Sequence, residues 1–330
     1  MREPAFSLLK APAPMELKGK RVLVLGLGDT GLSVARWVER RGGRVRVADT
    51  RKAPPRRSDY AGELRTGEFK PSLLRDVDLL CISPGLSLKE KIVETAIARG
   101  IPVVGDIELF AWAGRGKSGS EPDFHAPTSR KSGSDPDFPK VLAVTGTNGK
   151  STVTALTAHL LGAAGVDTVC AGNIGPPALA ALANRDPAPE VWVLELSSYQ
   201  LETTWSLAPH AAAMLNLCED HLDRYAGLAE YAAAKARVFQ GSGVQVLNRC
   251  DSASMALAVP GRVQVTFGMD PPPMPEDFGI AQGWLCRGQE RILQEREFPL
   301  SGAHNVSNAL AACALACLAG VPPAALGAGL

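Results

Sequence analysis

A glycine-rich segment in the middle of the chain has the residue types of a phosphate-binding loop. Residues 144–152 read Val-Thr-Gly-Thr-Asn-Gly-Lys-Ser-Thr, after an apolar run and before a helical pattern. Small residues allow backbone N–H groups to close around phosphate oxygens, and a helix start adds favourable positive potential. Lys150 would contact the β- and γ-phosphates of a nucleotide, and Ser151 or Thr152 would reach Mg²⁺. The predicted nucleotide-binding residues of this loop are Gly146, Thr147, Asn148, Gly149, Lys150, Ser151 and Thr152. The loop departs from the strict G-x-x-x-x-G-K-[ST] pattern, since Val144 replaces the first glycine.

An acid, a histidine and a lysine follow this loop and could complete a site for metal and phosphate. Glu195 ends an apolar strand pattern, and an acid at the carboxyl end of a parallel strand is well placed to hold Mg²⁺. His221 lies in Glu-Asp-His-Leu-Asp-Arg-Tyr, residues 219–225, and Lys235 lies on a predicted helix. By residue type alone, the default interpretation of His221 is a surface-loop histidine, and composition predicts a solvated helix lysine at Lys235.

A second glycine motif lies near the N-terminus. Residues 26–31 read Gly-Leu-Gly-Asp-Thr-Gly, a strict G-x-G-x-x-G between a strand pattern and a helix pattern, and Asp49 ends the next strand. This is the fingerprint of a dinucleotide-binding fold, with the acid on a ribose hydroxyl. An NAD(P)-dependent oxidoreductase is therefore one hypothesis. Glycines and a helix N-terminus can also accept the pyrophosphate of a UDP-sugar.

The elements that must position these residues alternate between strand and helix patterns. Short apolar runs predict strands, and longer segments of helical period predict helices. In the first part, strands are predicted at 22–25, 44–48, 78–83 and 101–104, with helices at 30–41 and 88–99. In the second part, strands are predicted at 141–145, 191–196, 211–217, 244–247, 263–267 and 289–294, with helices at 151–164, 228–240 and 305–318. This alternation predicts an α/β protein: a Rossmann-like parallel-sheet domain, then a P-loop-type α/β ATPase domain.

Composition and charge exclude several classes of function. With 35 Lys and Arg against 34 Asp and Glu, the balance favours neither a nucleic-acid surface nor an acidic membrane surface. The seven cysteines are scattered and lack C-x-x-C spacing, so neither a disulfide framework nor a zinc site is predicted. No signal peptide or transmembrane pattern is found. We expect a cytoplasmic monomer with no nucleic-acid or membrane partner.

A polar segment separates the two predicted domains. Residues 114–139 are rich in Gly, Ser, Pro and charge and contain a near-repeat, at 117–124 and 131–138. Such composition buries little surface and predicts a linker. The predicted domains are thus 1–113 and 140–320, with 321–330 beginning a further linker.

The central motifs resemble those of a known enzyme family. Residues 146–152 are similar to the nucleotide loop of the Mur ligases and the folylpolyglutamate synthases, which activate a carboxylate with ATP and join it to an amine. Residues 216–224, Asn-Leu-Cys-Glu-Asp-His-Leu-Asp-Arg, resemble the Mur ligase segment whose histidine binds a second Mg²⁺. Residues 302–312 resemble the segment that reaches adenine and ribose, which implies that Asn305 and Asn308 bind ATP, although Asn305 could simply cap a helix.

The resemblance implies roles for the remaining central residues. Lys150, Glu195, His221 and Lys235 are the implied catalytic residues. Two Mg²⁺ ions are implied, with Ser151, Glu195, His221 and Lys235 as the metal ligands. Lys235 would serve as a carbamate, because an unmodified lysine would repel a metal ion.

The N-terminal part resembles the glutamate-adding branch of the Mur ligases, whereas the folylpolyglutamate synthases lack such a domain. The resemblance implies the substrates UDP-N-acetylmuramoyl-L-alanine, D-glutamate and ATP. The implied UDP-substrate residues are Gly28, Asp29, Thr30, Gly31, Asp49, Thr50, Arg51, Ser83, Pro84, Gly85, Asn173 and His221. An L-alanine-adding Mur ligase and a noncatalytic UDP-sugar-binding module remain alternatives.

The family has a third domain that contacts D-glutamate, and the chain ends where the linker to it is expected. We therefore expect this polypeptide to keep UDP-substrate binding, to bind nucleotide more weakly and to ligate slowly or not at all.

Overall fold

The computed structural model describes residues 9–114 and 139–330. The repeat at 117–124 and 131–138 lies outside these residues. The chain divides into two compact units that interleave along the sequence. Among the described residues, unit 1 comprises 9–114, 176–186 and 198–207, and unit 2 comprises 139–175, 187–197 and 208–330. The chain therefore crosses between the two units five times.

Unit 1 is built on a five-stranded parallel sheet with the order β3-β2-β1-β4-β5. Its elements up to residue 114 are β1 (Arg21–Leu25), α1 (Asp29–Arg40), β2 (Arg44–Asp49), β3 (Glu63–Thr66), β4 (Leu79–Ile82), α2 (Lys91–Ala98), β5 (Val103–Val104) and α3 (Asp106–Gly114). β1 lies at the centre, between β2 and β4. The chain order reverses there, and ligands bind in the crevice at the carboxyl ends of such strands.

The sequence patterns missed β3 and α3 in the first part of unit 1, and also the short helices α5 and α6. β3 is an edge strand of which only Leu64 is half-buried, so it lacks the apolar run of a central strand. α3 is buried from Asp106 to Trp112 on every side, and it therefore lacks the amphipathic period by which a surface helix is recognised.

The remaining elements follow residue 139. They are β6 (Lys140–Thr145), α4 (Lys150–Ala163), β7 (Thr168–Gly172), α5 (Ala178–Ala183), β8 (Val191–Glu195), α6 (Ser198–Leu201), β9 (Ala211–Met214), α7 (Leu228–Ala236), β10 (Val244–Asn248), α8 (Ser252–Met255), β11 (Gln264–Phe267), β12 (Phe278–Ala281), β13 (Trp284–Arg287), β14 (Glu290–Gln294), α9 (Ala303–Ala319) and α10 (Pro323–Gly329). α5 and α6 are part of unit 1. The other elements form unit 2.

Unit 2 contains a nine-stranded sheet with the order β14-β13-β12-β11-β10-β9-β6-β8-β7. The strands from β7 to β12 are parallel, and β13 and β14 add an antiparallel edge. The sequence patterns missed β7, β12 and β13, which are short. The predicted α/β class, with a parallel-sheet N-terminal domain followed by a second α/β domain, is confirmed.

The core of unit 2 lies between its sheet and helices α4 and α9. Leu142 and Val144 of the sheet, Leu161 of α4 and Leu310 of α9 are all fully buried. α9 is rich in alanine and buried along most of its length, so it can lie close to α4. This packing fixes the position of α4 against the sheet, so that α4 starts close to the end of β6.

Strand order explains which loops meet at the edge of this sheet. β6 leads into the glycine-rich loop, and its neighbours are β8 on one side and β9 on the other. Glu195 ends β8 in register with Val144, and Asn216 follows β9. Parallel strands end at the same edge, so both side chains flank the loop.

A buried carboxylate anchors residues 198–207 within unit 1. Glu108 of α3 is fully buried and accepts hydrogen bonds from Trp112 Nε1 (2.8 Å) and from the backbone N–H groups of Trp205 (2.6 Å) and Ser206 (2.8 Å). These three donors stabilise the buried carboxylate, because hydrogen bonds compensate for its lost hydration.

No helix in the two described stretches, 9–114 and 139–330, is long and apolar enough to cross a membrane.

Candidate active site

Two glycines shape the loop between β6 and α4. Gly149 adopts a left-handed conformation (φ 84°), and a Cβ there would lie 2.4 Å from Asn308 Oδ1. Gly146 has φ 155°, and a Cβ there would lie 2.9 Å from Leu215 Cβ. Both positions therefore require glycine. The loop delivers the start of α4, whose first N–H groups have no partner within the helix and can bind phosphate.

Lys150 folds back over this loop. Its Nζ donates hydrogen bonds to the carbonyl oxygens of Gly146 (3.0 Å) and Thr147 (2.8 Å). Burial lowers the pKa of Lys150, while the nearby carboxylates of Glu195 and Asp220 act in the opposite direction. The ammonium group thus lies at the loop, where the terminal phosphates of a nucleotide would bind.

Glu195 is a buried acid with one unsatisfied oxygen. Its exposure is 1%, and its Oε1 accepts a 2.7 Å hydrogen bond from Asn173 Nδ2. Its Oε2 has no hydrogen-bond partner. A buried unpaired carboxylate oxygen needs a compensating charge, and a cation such as Mg²⁺, which prefers oxygen ligands, would provide it.

Lys235 is a buried amine beside the same loop. Its exposure is 1%, and its Nζ donates to Gly146 O (2.8 Å) and Thr145 Oγ1 (3.3 Å). Burial, helped by the positive charge of Lys150, lowers the pKa of Lys235 to about 7. Near neutral pH a large part of this side chain is therefore the uncharged amine.

His221 lies in a tight turn after β9. Its backbone has φ 54°, and its carbonyl oxygen accepts hydrogen bonds from the N–H groups of Arg224 and Tyr225. The imidazole Nε2 lies 3.5 Å from Asp220 Oδ2, and the ring meets Tyr231 edge-on with centroids 6.0 Å apart. Within the described stretches, no group of three or more His, Cys, Asp or Glu side chains is spaced to hold a metal ion. A metal site here would therefore need other ligands, such as Ser151 or a modified Lys235, to complete it.

The structure adds residues that sequence reasoning did not assign to the site. Tyr231 is 1% exposed, its hydroxyl donates to Thr147 Oγ1 (3.4 Å), and Lys235 Nζ lies 4.8 Å from the centre of its ring. Tyr231 and Lys235 are four residues apart on α7 and hence on one face. That spacing was the available signal. Thr145 also links Lys235 to the residue after β8, because its hydroxyl donates to Leu196 O (2.8 Å).

The two asparagines of α9 differ in position. Asn308 lies against Gly149, as the close approach at that glycine shows. Asn305 is half-buried at the start of the helix, and its Nδ2 donates to Ser301 O (2.8 Å). Asn308 is thus beside the phosphate loop, whereas Asn305 makes a local bond at the helix start.

The glycine motif of unit 1 also has a strict geometry. Gly26 has φ 88°, and a Cβ at Gly31 would lie 1.8 Å from Gly26 O. Gly28 precedes α1, and a Cβ there would meet nothing within 4 Å. Ser83, after β4, donates its hydroxyl to Gly26 O (3.3 Å). The loops after β1 and β4 therefore contact each other at the point where the strand order reverses.

Asp49 is saturated by protein donors. Its Oδ1 accepts from Arg51 N (2.9 Å) and Arg51 Nε (2.9 Å), and its Oδ2 accepts from Leu27 N (2.7 Å) and Arg51 Nη2 (2.7 Å). Burial acts to raise the pKa of Asp49, but these donors outweigh it and lower the pKa to about 2. Each oxygen of this carboxylate already accepts two hydrogen bonds, so no lone pair remains for a ribose diol.

The structure groups the predicted residues into two sets. Lys150, Glu195, Lys235 and Asn173 lie with the phosphate loop in unit 2, and His221 is connected to that loop through Tyr231. The glycine motif, Asp49, Arg51 and Ser83 lie together in unit 1, where Asp29 pairs with Arg56. Thr50 and Gly85 are exposed, and Pro84 is half-buried.

The sequence matches two family descriptions. Residues 144–316 match the Mur ligase middle domain, and residues 20–105 match the Mur ligase MurD-like N-terminal domain. UDP-N-acetylmuramoylalanine--D-glutamate ligase of Nitrosospira multiformis is 48% identical, over 93% of this chain and 64% of that protein. The protein of the same name from Thiobacillus denitrificans is 47% identical, over 96% of this chain and 67% of that protein. The chain thus spans about two-thirds of the length of these relatives.

Solved structures share the fold at low sequence identity. UDP-N-acetylmuramate:L-alanyl-gamma-D-glutamyl-meso-diaminopimelate ligase of Neisseria meningitides superposes with a TM-score of 0.60 and 18% identity, over 94% of this chain and 97% of that chain. UDP-N-acetylmuramate-alanine ligase of Thermotoga maritima gives a TM-score of 0.55 and 19% identity, over 94% and 67%. These likenesses support the two-sheet α/β architecture and nothing finer.

Proposed function

This chain belongs to the Mur ligase family, and we propose that it carries the UDP-substrate-binding and ATP-binding parts of a ligase that adds D-glutamate to UDP-N-acetylmuramoyl-L-alanine. The amino acid is taken from the names of relatives that are 47–48% identical. Such a ligase would serve peptidoglycan synthesis. We further propose that it acts as a cytoplasmic monomer.

The observation that carries the proposal is the unpaired buried oxygen of Glu195 beside a phosphate loop. Hydride transfer to a nicotinamide needs neither a triphosphate loop nor a cation next to it. Phosphoryl transfer needs both, because negative charge must be offset around the transferring group.

The proposed reaction has two steps. The free carboxylate of the UDP-sugar attacks the γ-phosphorus of ATP, forming an acyl phosphate and releasing ADP. The amine of D-glutamate then attacks the acyl carbon, forming the amide and releasing phosphate and a proton. Lys150 would hold the terminal phosphates throughout, so its main contribution is positioning and electrostatic stabilisation.

Two Mg²⁺ ions would neutralise the charge of the triphosphate. Ser151 and Glu195 would hold one ion. Glu195, His221 and carbamylated Lys235 would hold the other. The buried Glu195 oxygen fits such a role. The lowered pKa of Lys235 also fits carbamylation, because only the neutral amine reacts with CO₂.

In unit 1, we propose that the loops after β1, β2 and β4 bind the UDP end of the substrate. Gly28, Thr30, Gly31, Thr50, Arg51 and Ser83–Gly85 are the proposed contacts. The oxidoreductase alternative is not favoured, because the chain is a Mur ligase and Asp49 already has four donors. The L-alanine-adding alternative is disfavoured by the names of the relatives.

Isothermal titration of the purified chain tests the proposal. UDP-N-acetylmuramoyl-L-alanine and ATP with Mg²⁺ should each bind, and NADH should not. Lys150→Ala should weaken ATP binding and leave the UDP-sugar affinity unchanged, since the two sites lie in different units. Binding of NADH in place of the UDP-sugar would refute the ligase assignment.

A further inference from the structure

We propose that Asn216 is a positioning residue that fixes the phosphate loop and joins it to the segment carrying His221. The proposal rests on the nucleotide site of the proposed function. It assigns the binding of the nucleotide phosphates to a restricted set of N–H groups, those of Gly149, Lys150, Ser151 and Thr152.

Asn216 makes three hydrogen bonds to the loop. Its Oδ1 accepts from Asn148 N (2.8 Å), its Nδ2 donates to Asn148 O (3.1 Å), and its carbonyl oxygen accepts from Thr147 N (2.9 Å). The side-chain amide thus pairs with one residue's N–H and C=O, as a neighbouring strand would. Glutamine is the only other residue with a side-chain amide, and its side chain is longer by one methylene group.

A second pair of contacts extends the junction towards His221. Thr147 Oγ1 donates to Cys218 O (3.3 Å) and accepts from Cys218 N (3.2 Å). Cys218 precedes His221 by three residues, so the phosphate loop and the histidine turn are joined through 216–218. We refer to residues 216–218 as the clamp.

The clamp determines which backbone N–H groups of the phosphate loop are free to bind a phosphate group. The N–H groups of Thr147 and Asn148 are occupied by Asn216. Those of Gly149 and of the first three residues of α4 lie at the helix start, where no carbonyl of the preceding turn is available. A phosphate group bound at this loop therefore approaches along the axis of α4, beside Lys150.

The clamp is itself held from β10 and α8. Asn248 Nδ2 donates to Leu215 O (2.8 Å), Ser254 Oγ donates to Met214 O (2.9 Å), and Asp251 Oδ2 accepts from Leu217 N (3.1 Å). Because both flanks of Asn216 are fixed, its bonds act on the phosphate loop and are not dissipated by movement of the clamp.

Two variants and a control test this role. Asn216→Ala removes both side-chain bonds, and Asn216→Asp keeps the shape and the acceptor but places a second oxygen against Asn148 O. Asn184→Ala, at an exposed asparagine after α5, is the control. The measurements are the affinities for ATP with Mg²⁺ and for adenosine, and the hydrogen–deuterium exchange of peptides covering residues 144–152.

We expect Asn216→Ala to bind ATP about tenfold more weakly, the effect of losing about one well-placed hydrogen-bond pair. Asn216→Asp should lose at least as much, because its charge also repels the triphosphate. Adenosine affinity should not change, and exchange at 144–152 should accelerate while the unfolding temperature of the chain stays close to that of the wild type.

Three results separate the possibilities. Equal loss of ATP and adenosine affinity, or wild-type ATP affinity with unchanged exchange at 144–152, would overturn the role of Asn216. If the wild-type chain binds no ATP at all, the nucleotide proposal fails. In that case faster exchange at 144–152 in the variants still supports the positioning role of Asn216, and unchanged exchange refutes it.

Discussion

Asp49 shows how a residue type at the right position can serve a different purpose. An acid after the second strand of a G-x-G-x-x-G fold usually suggests a ribose contact. Here the carboxylate binds Arg51 and the Leu27 N–H, and so connects the end of β2 to the glycine loop. The sequence predicted the location of Asp49 but not its partner, because Arg51 could have extended into solvent without changing the local pattern.

Cys218 offers a direct test of where the nucleotide binds. Its exposed thiol lies 3.7 Å from Asn148 Nδ2, at the phosphate loop, whereas the exposed Cys250 accepts from Met269 N at a different place. We expect ATP with Mg²⁺ to slow the alkylation of Cys218 by iodoacetamide several-fold, because the bound triphosphate covers the thiol.

Cys250 provides the internal control for this experiment. Its alkylation, followed by mass spectrometry in the same sample, should proceed at the same rate with and without ATP. Protection of both cysteines would indicate that ATP changes the conformation of the chain and does not simply cover the Cys218 thiol. Protection of neither would place the nucleotide elsewhere.

The carboxyl ends of strands were the most predictable feature at the scale of elements. The position of Glu195 at the end of β8 was predicted from an apolar run alone, and the position of the glycine-rich loop between β6 and α4 was predicted from the same kind of pattern. The bonds of Asn216 and the approach of Tyr231 were not predictable. They depend on β9 lying next to β6 and on the direction of α7, which no local pattern specifies.

Two glycines of the same motif should respond differently to substitution by alanine. At Gly31 a Cβ would overlap Gly26 O, at 1.8 Å, so Gly31→Ala should lower the free energy of unfolding by about 1–3 kcal/mol or more. At Gly28 the φ is −92° and the space is open, so Gly28→Ala should change it by less than about 0.5 kcal/mol.

Gly28→Ala, which should leave the stability unchanged, should instead change the affinity for the UDP-sugar. The added methyl group at position 28 occupies space through which the backbone could approach a pyrophosphate. Gly28→Ala should therefore weaken UDP-sugar binding in a chain of normal stability, as measured by calorimetry beside urea unfolding. A stable Gly31→Ala variant would contradict the close approach to Gly26.

Helix α3 carries a second buried acid whose titration should be measurable. Asp106 is 1% exposed, and burial raises its pKa to about 6 although Gln200 Nε2 lies 3.3 Å from Oδ2. The folded state thus binds this proton more tightly than the unfolded state. Its contribution to stability is complete below about pH 4 and is lost as pH rises through 6.

Asp106→Asn removes this titration. Relative to the wild type, the free energy of unfolding of the variant should rise by up to roughly 3 kcal/mol between pH 4 and pH 7. Above pH 7 the difference between the two proteins should remain constant. Urea unfolding at several pH values provides the measurement. A difference that does not change with pH would show that Asp106 titrates normally in the folded protein.

At the scale of the whole molecule, the two units are not consecutive in sequence. Residues 176–186 and 198–207 pack with residues 9–114, and helix α5 contacts both α1 and α3. Nothing in the local sequence of these segments indicates that location. Alternating strand and helix patterns predicted two sheets correctly, but tertiary contacts alone determine which unit an isolated short helix joins.

A fragment ending at Gly114 should therefore be unstable. It would lose the backbone donors of Trp205 and Ser206, leaving Glu108 with one of its three partners, and would expose the faces of α1 and α3 that α5 covers. We expect such a fragment to aggregate or to unfold at a much lower temperature than the 330-residue chain. A fragment ending at residue 207 serves as the comparison. Equal stability of the two would show that the later segments are dispensable.

The same interleaving constrains the order of events on the ribosome. The Rossmann-like sheet is synthesised first, yet its unit acquires the last of its packing partners only when residue 207 has emerged from the exit tunnel. By then the phosphate loop has already been translated. The nascent chain must therefore keep the buried face of α3 uncovered while nearly a hundred further residues are added, an interval in which a chaperone could bind it.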